Sequence, residues 1–119
     1  MKKLFSILVI IMLICGCSTS SFKTIMTNEA LDLLNKGAIL IDVRTEEEYE
    51  REHIPDAINI PLGSINDINI DKDKQIIIYC QTGIRSKEAA LELIKLGYKD
   101  IYNLDGGLLN WGGNLINSN

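Results

Sequence analysis

Short apolar runs alternate with segments of helical periodicity through most of this 119-residue chain. The runs are rich in isoleucine and leucine, as expected of strands that are buried on both faces of a parallel sheet. Several helical segments begin at threonine or serine and end at glycine, which favours helix starts and stops at these positions. The predicted strands are residues 38–44, 57–61, 75–79 and 101–104, and the predicted helices are residues 27–37, 45–51 and 86–96. We also expect a single helical turn over residues 64–68 and a final helical stretch over residues 108–116 that is broken by Gly112-Gly113.

This alternation, with short connections, predicts an α/β fold in which helices flank a central, mainly parallel sheet. The length of the chain is sufficient for one modest domain. Functional residues of such folds gather at the carboxyl ends of the strands. The strand predicted over residues 75–79 ends at Cys80, so we place the candidate site there.

The surroundings of Cys80 favour a reactive thiol. A short loop follows it and leads into the helix predicted over residues 86–96. The N-terminus of a helix offers unpaired N–H groups and partial positive charge, which stabilise a thiolate and an anionic sulfur bound to it. Gly83 and Arg85 in the loop argue against a buried, inert cysteine. We therefore expect Cys80 to act as a nucleophile.

The N-terminal residues differ from the rest of the chain. A basic start precedes an apolar run over residues 4–14, which is too short for a stable bilayer span but suits a signal-peptide core. The run ends in Ile14-Cys15-Gly16-Cys17, which resembles the lipobox of bacterial lipoproteins, with Cys17 as the lipidated residue. The alternatives are a secretory signal that is cut nearby and an uncleaved N-terminal anchor.

This interpretation divides the chain into a signal peptide over residues 1–16, a lipidated Cys17 with a polar tether over residues 17–24, and a domain over residues 25–119. The domain is then expected to be exported to the cell envelope. We expect it to be held on the extracytoplasmic face of a bacterial membrane, with the lipid as its only membrane contact.

Cysteine count and charge limit the function further. Loss of Cys15 with the signal and lipidation of Cys17 leave Cys80 as the only free thiol of the three, which excludes an internal disulfide. The formal net charge is −4, and removal of Lys2 and Lys3 changes it to about −6. An acidic domain without a basic patch is not expected to bind nucleic acid.

Four motifs occur in order along the domain: Asp42-Val43-Arg44, then Glu48-Tyr49 with residues 53–61, then residues 80–86 (Cys-Gln-Thr-Gly-Ile-Arg-Ser), then Asp105-Gly106-Gly107 with Trp111. Together they resemble the rhodanese-like domain of the small single-domain bacterial type, and the resemblance covers about residues 23–115. It implies a three-layer sandwich with a central, mainly parallel sheet flanked by helices.

The resemblance implies sulfurtransferase chemistry through a persulfide on Cys80. Sulfane sulfur from a small anionic donor such as thiosulfate passes to a thiol or to cyanide in a double displacement. The amides of the loop from Gln81 to Arg85 are expected to cradle the donor and the persulfide. The predicted substrate-binding residues of this loop are Gln81, Thr82, Gly83, Ile84, Arg85 and Ser86. Arg85 is expected to be a cation for an oxyanion, and the alternative is that it pairs with an acidic residue.

Two features qualify this resemblance. The family usually has glycine before the His-Ile-Pro turn, where this chain has Glu52. Neutral Gln81 stands next to the cysteine, where relatives that prefer thiosulfate often have a second cation, so the donor stays open. Asp42 and Arg44 are interpreted as a structural ion pair or cap at a strand end, with at most a minor orienting role.

Two other functions stay open. A cysteine phosphatase also closes a thiolate loop with an arginine, but it places five residues between them, whereas four lie between Cys80 and Arg85. A rhodanese-like domain can also be a non-catalytic binding or regulatory module. His53, the only histidine, is interpreted as a structural hydrogen-bonding residue in a turn. We expect no cofactor, no metal site and a monomer.

Overall fold

The structure is a computed structural model that describes residues 21–118. The predicted signal peptide and the lipidation site at Cys17 lie outside the described residues. The strands are β1 (Lys23–Ile25), β2 (Ile39–Asp42), β3 (Glu52–His53), β4 (Ile58–Asn59), β5 (Ile76–Tyr79), β6 (Ile101–Leu104) and β7 (Ile116–Asn117). The α-helices are α1 (Thr27–Asn35), α2 (Glu46–Arg51) and α3 (Ile84–Lys95), and 3-10 helices occupy Leu62–Asp67 and Gly107–Asn110.

Five strands form one parallel sheet in the order β1-β6-β5-β2-β4. The central strand β5 is buried along its whole length, between β2 and β6. The short strands β3 and β7 form a separate antiparallel pair. The carboxyl ends of β2, β5 and β6 therefore meet at one edge of the sheet, and residues 42–44, 80 and 105–107 lie at that edge.

Each face of the sheet has its own apolar core. Ile76 and Ile78 of β5 pack on one face with Leu93 of α3 and with Ile65 of the first 3-10 helix. Ile77, which points to the other face, packs in a second cluster that contains residues from the helix α1. Successive side chains of β5 point to opposite faces of the sheet. Each face therefore buries its own apolar residues against helices. The α/β class and the mainly parallel sheet flanked by helices are confirmed.

One difference from the sequence prediction concerns the start of α3. This helix begins at Ile84 and not at Ser86, because Gly83 adopts φ 100° and serves as its N-cap without a side-chain hydrogen bond. Arg85 and Ser86 therefore lie inside the first turn. The earlier start directs the free amides of the first turn towards the end of β5.

Of the helical stretch predicted over residues 108–116, only the part up to Asn110 is helical. A 3-10 helix ends at Asn110, and Trp111 then has extended backbone angles of φ −68° and ψ 121°. Gly112 and Gly113 follow directly, and glycine is a poor helix former. The chain forms β7 instead, which pairs with β3.

The boundary of the domain also differs slightly from the prediction. Strand β1 begins at Lys23 and pairs with β6, so the last residues of the predicted tether belong to the sheet. No helix within residues 21–118 combines the length and the apolar character needed to cross a bilayer.

Candidate active site

Cys80 lies at the point where the central strand gives way to α3. The strand β5 is apolar and β-branched up to Tyr79, which fixes the backbone before the thiol. Three residues later, Gly83 takes up a left-handed conformation with φ 100°, which glycine adopts without steric cost. The loop thereby turns back over the cysteine and brings the amides of the helix N-terminus to its sulfur.

Hydrogen bonds surround the sulfur. The Gly83 N–H donates to the Cys80 Sγ at 3.1 Å, and the Ser86 Oγ lies 3.5 Å from the same sulfur. Burial raises the pKa of Cys80. Hydrogen bonds from the Ser86 hydroxyl and from the amides of Ser86, Thr82 and Gly83 more than offset burial, and they lower the pKa below its ordinary value. The site therefore favours the thiolate.

The thiol is more buried than the sequence indicated. Only 1% of Cys80 is exposed, so the expectation that Gly83 and Arg85 would keep it from burial is wrong. The reason is that Gly83 folds the loop over the sulfur. Burial alone would make the cysteine inert, and its reactivity depends on the hydrogen bonds that stabilise the thiolate.

The second 3-10 helix holds the loop from the other side. The Leu108 N–H donates to the Cys80 carbonyl at 2.8 Å, and the Leu109 N–H donates to the Gln81 carbonyl at 3.2 Å. A Cβ on Gly107 would lie 2.3 Å from the Cys80 carbonyl oxygen, so only glycine permits this approach. The sequence shows this glycine in the motif Asp105-Gly106-Gly107 but does not indicate its contact with the loop.

Asp42 and Arg44 form the buried ion pair that the sequence predicted. Their side chains are 0% and 3% exposed, and Arg44 Nη2 lies 2.8 Å from Asp42 Oδ2. Arg44 also donates to the Glu52 carbonyl at 2.6 Å and to the Gln81 Oε1 at 3.2 Å. This arginine therefore joins the end of β2 to the β3 segment and to the residue that follows Cys80.

Arg85 pairs with an acidic residue, Glu48, which the sequence did not identify as its partner. Its Nη1 and Nη2 donate to the two carboxylate oxygens of Glu48 at 2.7 and 3.0 Å. The hydrogen bond from Arg85 has the largest influence on this carboxyl, and its pKa is lowered to about 2 although burial opposes the change. Glu48 is therefore ionised at any physiological pH, and both terminal nitrogens of Arg85 face it.

The other loop residues lie around this pair and the thiol. Gln81 is half-buried and accepts from Arg44, whereas Thr82 and Ile84 are exposed. The Thr82 amide helps to lower the pKa of Cys80, and no hydrogen bond of the Thr82 hydroxyl is found within residues 21–118. The structure thus brings the predicted residues 80–86, Asp42 and Arg44 to one edge of the sheet.

Several residues near the site have structural contacts. The His53 Nδ1 lies 2.8 Å from the Tyr49 carbonyl oxygen, and the two rings stack with centroids 3.8 Å apart, in agreement with a structural role for His53. Asn103 on β6 is fully buried, and its side-chain amide has no hydrogen-bond partner within residues 21–118.

A cavity of about 300 Å³ lies elsewhere, between α1, the turn at residues 54–56 and Trp111. It contains none of the predicted site residues. The described part of the chain holds no group of three or more histidine, cysteine, aspartate or glutamate side chains arranged for a metal ion.

With this geometry established, comparison with known proteins identifies the family. Residues 26–114 match the family of the rhodanese-like domain. The chain belongs to the rhodanese-like family. A relative from Pseudomonas syringae pv. syringae, thiosulfate sulfurtransferase GlpE, is 37% identical over 94 residues, which cover 77% of this chain and 89% of the relative.

Solved rhodanese-like structures agree. The crystal structure of a rhodanese-like domain protein from Staphylococcus aureus superposes with a TM-score of 0.66 at 34% identity, covering 76% of this chain and 92% of that one. The human single-domain sulfurtransferase TSTD1 gives a TM-score of 0.70 at 28% identity, covering 74% of this chain and 93% of that one. These similarities support sulfurtransferase chemistry in general for this rhodanese-like chain.

Proposed function

We propose that this protein is a sulfurtransferase that carries sulfane sulfur as a persulfide on Cys80. The observation that carries the proposal is the set of hydrogen bonds on the sulfur, with the Gly83 N–H at 3.1 Å and the Ser86 Oγ at 3.5 Å. These groups stabilise negative charge on the thiolate, and the same loop amides favour an anionic persulfide.

In the first half-reaction the Cys80 thiolate attacks the outer sulfur of a donor such as thiosulfate. A sulfur–sulfur bond forms to Cys80 while the sulfur–sulfur bond of thiosulfate breaks, and sulfite leaves with the electron pair. In the second half-reaction cyanide or a thiolate attacks the outer sulfur of the persulfide. Thiocyanate or a new persulfide leaves, and the Cys80 thiolate is restored.

The acceptor comes from outside the described domain. Cys80 is the only cysteine within residues 21–118, so no second thiol there can resolve the persulfide as an internal disulfide. This agrees with the expectation of an external thiol or cyanide as acceptor.

A steady-state assay with thiosulfate and cyanide tests this function. We expect thiocyanate formation with the parallel double-reciprocal lines of a ping-pong mechanism, and complete loss of turnover in Cys80→Ser. Intersecting lines, or a Cys80→Ser variant as active as the wild type, would contradict the persulfide mechanism.

The burial of Cys80 favours a second candidate, a non-catalytic binding module, because a thiol that is 1% exposed can also be inert. Absence of sulfur transfer with every donor, together with an intact fold, would support that candidate. The phosphatase alternative predicts hydrolysis of an aryl phosphate that disappears in Cys80→Ser.

We further propose that the protein is a lipoprotein, anchored through Cys17 on the extracytoplasmic face of a bacterial membrane. The support is the apolar run over residues 4–14 and the small Gly16 before Cys17. Mass spectrometry of the mature protein should find a lipidated N-terminal Cys17. Cys17→Ala should abolish the modification and Cys15→Ala should not, and the opposite result would refute the assignment.

A further inference from the structure

The two arginines beside Cys80 are both held by carboxylates. Arg44 pairs with Asp42 in the interior. Both terminal nitrogens of Arg85 donate to Glu48, at 2.7 and 3.0 Å. The hydrogen bonding to Glu48 raises the pKa of Arg85 most, burial opposes this change, and the charges of Glu48 and Cys80 raise the pKa further. Arg85 lies in the first turn of α3, two residues after Gly83, whose N–H donates to the Cys80 sulfur, but its own donors face the carboxylate.

The amides of residues 81–86 form the cradle around the Cys80 sulfur. Within residues 21–118, both arginines next to this cradle have their charge compensated by a carboxylate. The other side chains of the loop from Gln81 to Ser86 are neutral. Lys87, in the same turn of α3, is exposed, where solvent and salt weaken its field. A ligand in the cradle therefore meets amide dipoles and two neutral ion pairs.

Donors of different charge respond differently to such a site. Thiosulfate is a dianion, so its reaction with the Cys80 thiolate brings three negative charges together before sulfite leaves. An organic persulfide, R–S–S⁻, is a monoanion. The thiolate attacks its outer sulfur, the sulfur–sulfur bond of the donor breaks and R–S⁻ leaves, so two negative charges meet. An uncompensated charge near the cradle changes the first reaction more than the second.

We propose that Glu48 is a specificity-determining residue which, by holding Arg85, makes a monoanionic organic persulfide a better sulfur donor than dianionic thiosulfate. This rests on the proposed persulfide chemistry of Cys80. Glu48 does not touch the sulfur, and it acts by neutralising and positioning the guanidinium of Arg85.

Glu48→Gln removes the charge with little disturbance of the fold. Glu48 occupies the third position of α2, where its Oε1 accepts from the Thr45 N–H at 3.2 Å in a capping box. Glutamine fills the same position in capping boxes. Glu47→Gln is the matched control, because Glu47 is 85% exposed and pairs with Arg51.

The test is the ratio of kcat/KM for thiosulfate to kcat/KM for 2-hydroxyethyl persulfide, whose only charge is on its sulfur, in the full-length chain with cyanide as acceptor. Glu48→Gln leaves one free positive charge and should raise the ratio about tenfold, mainly through the KM for thiosulfate. Arg85→Gln leaves one negative charge and should lower the ratio. The double variant is neutral again and should return to the ratio of the wild type, and Glu47→Gln should not change it.

A purely structural ion pair gives a different result, in which both single variants lose activity with both donors and the ratio stays constant. That result would overturn the proposed role of Glu48 but not the proposed sulfurtransferase function. The same conclusion would follow if the kcat/KM ratio of the double variant differed from that of the wild type as much as the ratio of either single variant does. A wild-type chain that transfers sulfur from neither donor would overturn the proposed function as well, so the two failures are distinguishable. Thermal unfolding of each variant verifies that it is folded.

Discussion

The two ion pairs at the edge of the sheet differ in burial and in the number of bonds that hold them. The Arg44 side chain is 3% exposed and bonds to Asp42, Glu52 and Gln81. The Arg85 side chain is 37% exposed, and within residues 21–118 its hydrogen bonds go to Glu48 alone. Removal of a partner leaves Arg44 charged in the interior but leaves Arg85 accessible to water. Burial thus makes the first pair a structural element and leaves the second available for specificity.

The largest effect is expected from the buried pair. Asp42→Asn should lower the free energy of unfolding by about 3–5 kcal/mol, because it leaves the Arg44 charge buried without an acidic partner. Urea denaturation of the full chain measures this difference. Asp32→Asn, which breaks the exposed pair between Asp32 and Lys36, is the control and should change stability by less than about 1 kcal/mol. Equal losses in the two variants would remove the distinction between buried and exposed pairs.

A second experiment tests whether the hydrogen bonds of the loop, and not the arginines, control the ionisation of Cys80. Ser86→Ala should move the midpoint of Cys80 ionisation to higher pH, because the Ser86 hydroxyl makes the largest of the contributions that lower this pKa. The alkylation rate of Cys80 at neutral pH should fall about tenfold or more, as expected for loss of a hydrogen bond to a charged group.

The rate of reaction with iodoacetamide as a function of pH measures that change. Ser64→Ala, at an exposed serine in the first 3-10 helix, should leave the midpoint unchanged. If the midpoint shifts more in Arg85→Gln than in Ser86→Ala, the ion pair of Arg85 and Glu48 controls the ionisation of Cys80, and the loop hydrogen bonds do not.

The smallest effect is expected for the contribution of the partly exposed pair of Glu48 and Arg85 to stability. Glu48→Gln should lower the free energy of unfolding by about 1 kcal/mol or less at neutral pH, because the pair is partly solvated. The pKa of Glu48 is lowered in the folded protein to about 2, so its stabilisation is complete above the unfolded pKa of about 4.3. It disappears as the pH falls through the folded value.

Unfolding curves of the wild type and of Glu48→Gln between pH 7 and pH 2 test this dependence. The difference between the two proteins should shrink towards the acidic end. A difference that grows as the pH falls would have the wrong sign for a carboxyl with a lowered pKa. Glu47→Gln provides the comparison for an exposed carboxylate on the same helix.

The parts of this site that the sequence predicted depend on local patterns. The apolar run before Cys80 predicts β5, and the helical periodicity after the loop predicts α3, so the position of the thiol follows from neighbouring residues. The buried pair of Asp42 and Arg44 is predictable in the same way, because the two residues stand together at the end of a strand.

The parts that the sequence did not reveal depend on contacts between distant segments. Glu48 and Arg85 are 37 residues apart, and the glutamate could be explained fully by its capping box. The contact of Gly107 with the Cys80 carbonyl arises from the packing of the second 3-10 helix against the loop. The burial of Cys80 follows from the left-handed conformation of Gly83, which a glycine in a sequence permits but does not require.

The most direct test of the central proposal is the mass of the peptide that contains Cys80 after the full chain has been incubated with thiosulfate or polysulfide. The account predicts a gain of one sulfur atom on Cys80, which cyanide removes and which Cys80→Ser does not acquire. A folded wild-type protein that never gains this mass with either donor, or an equal gain in Cys80→Ser, would contradict it.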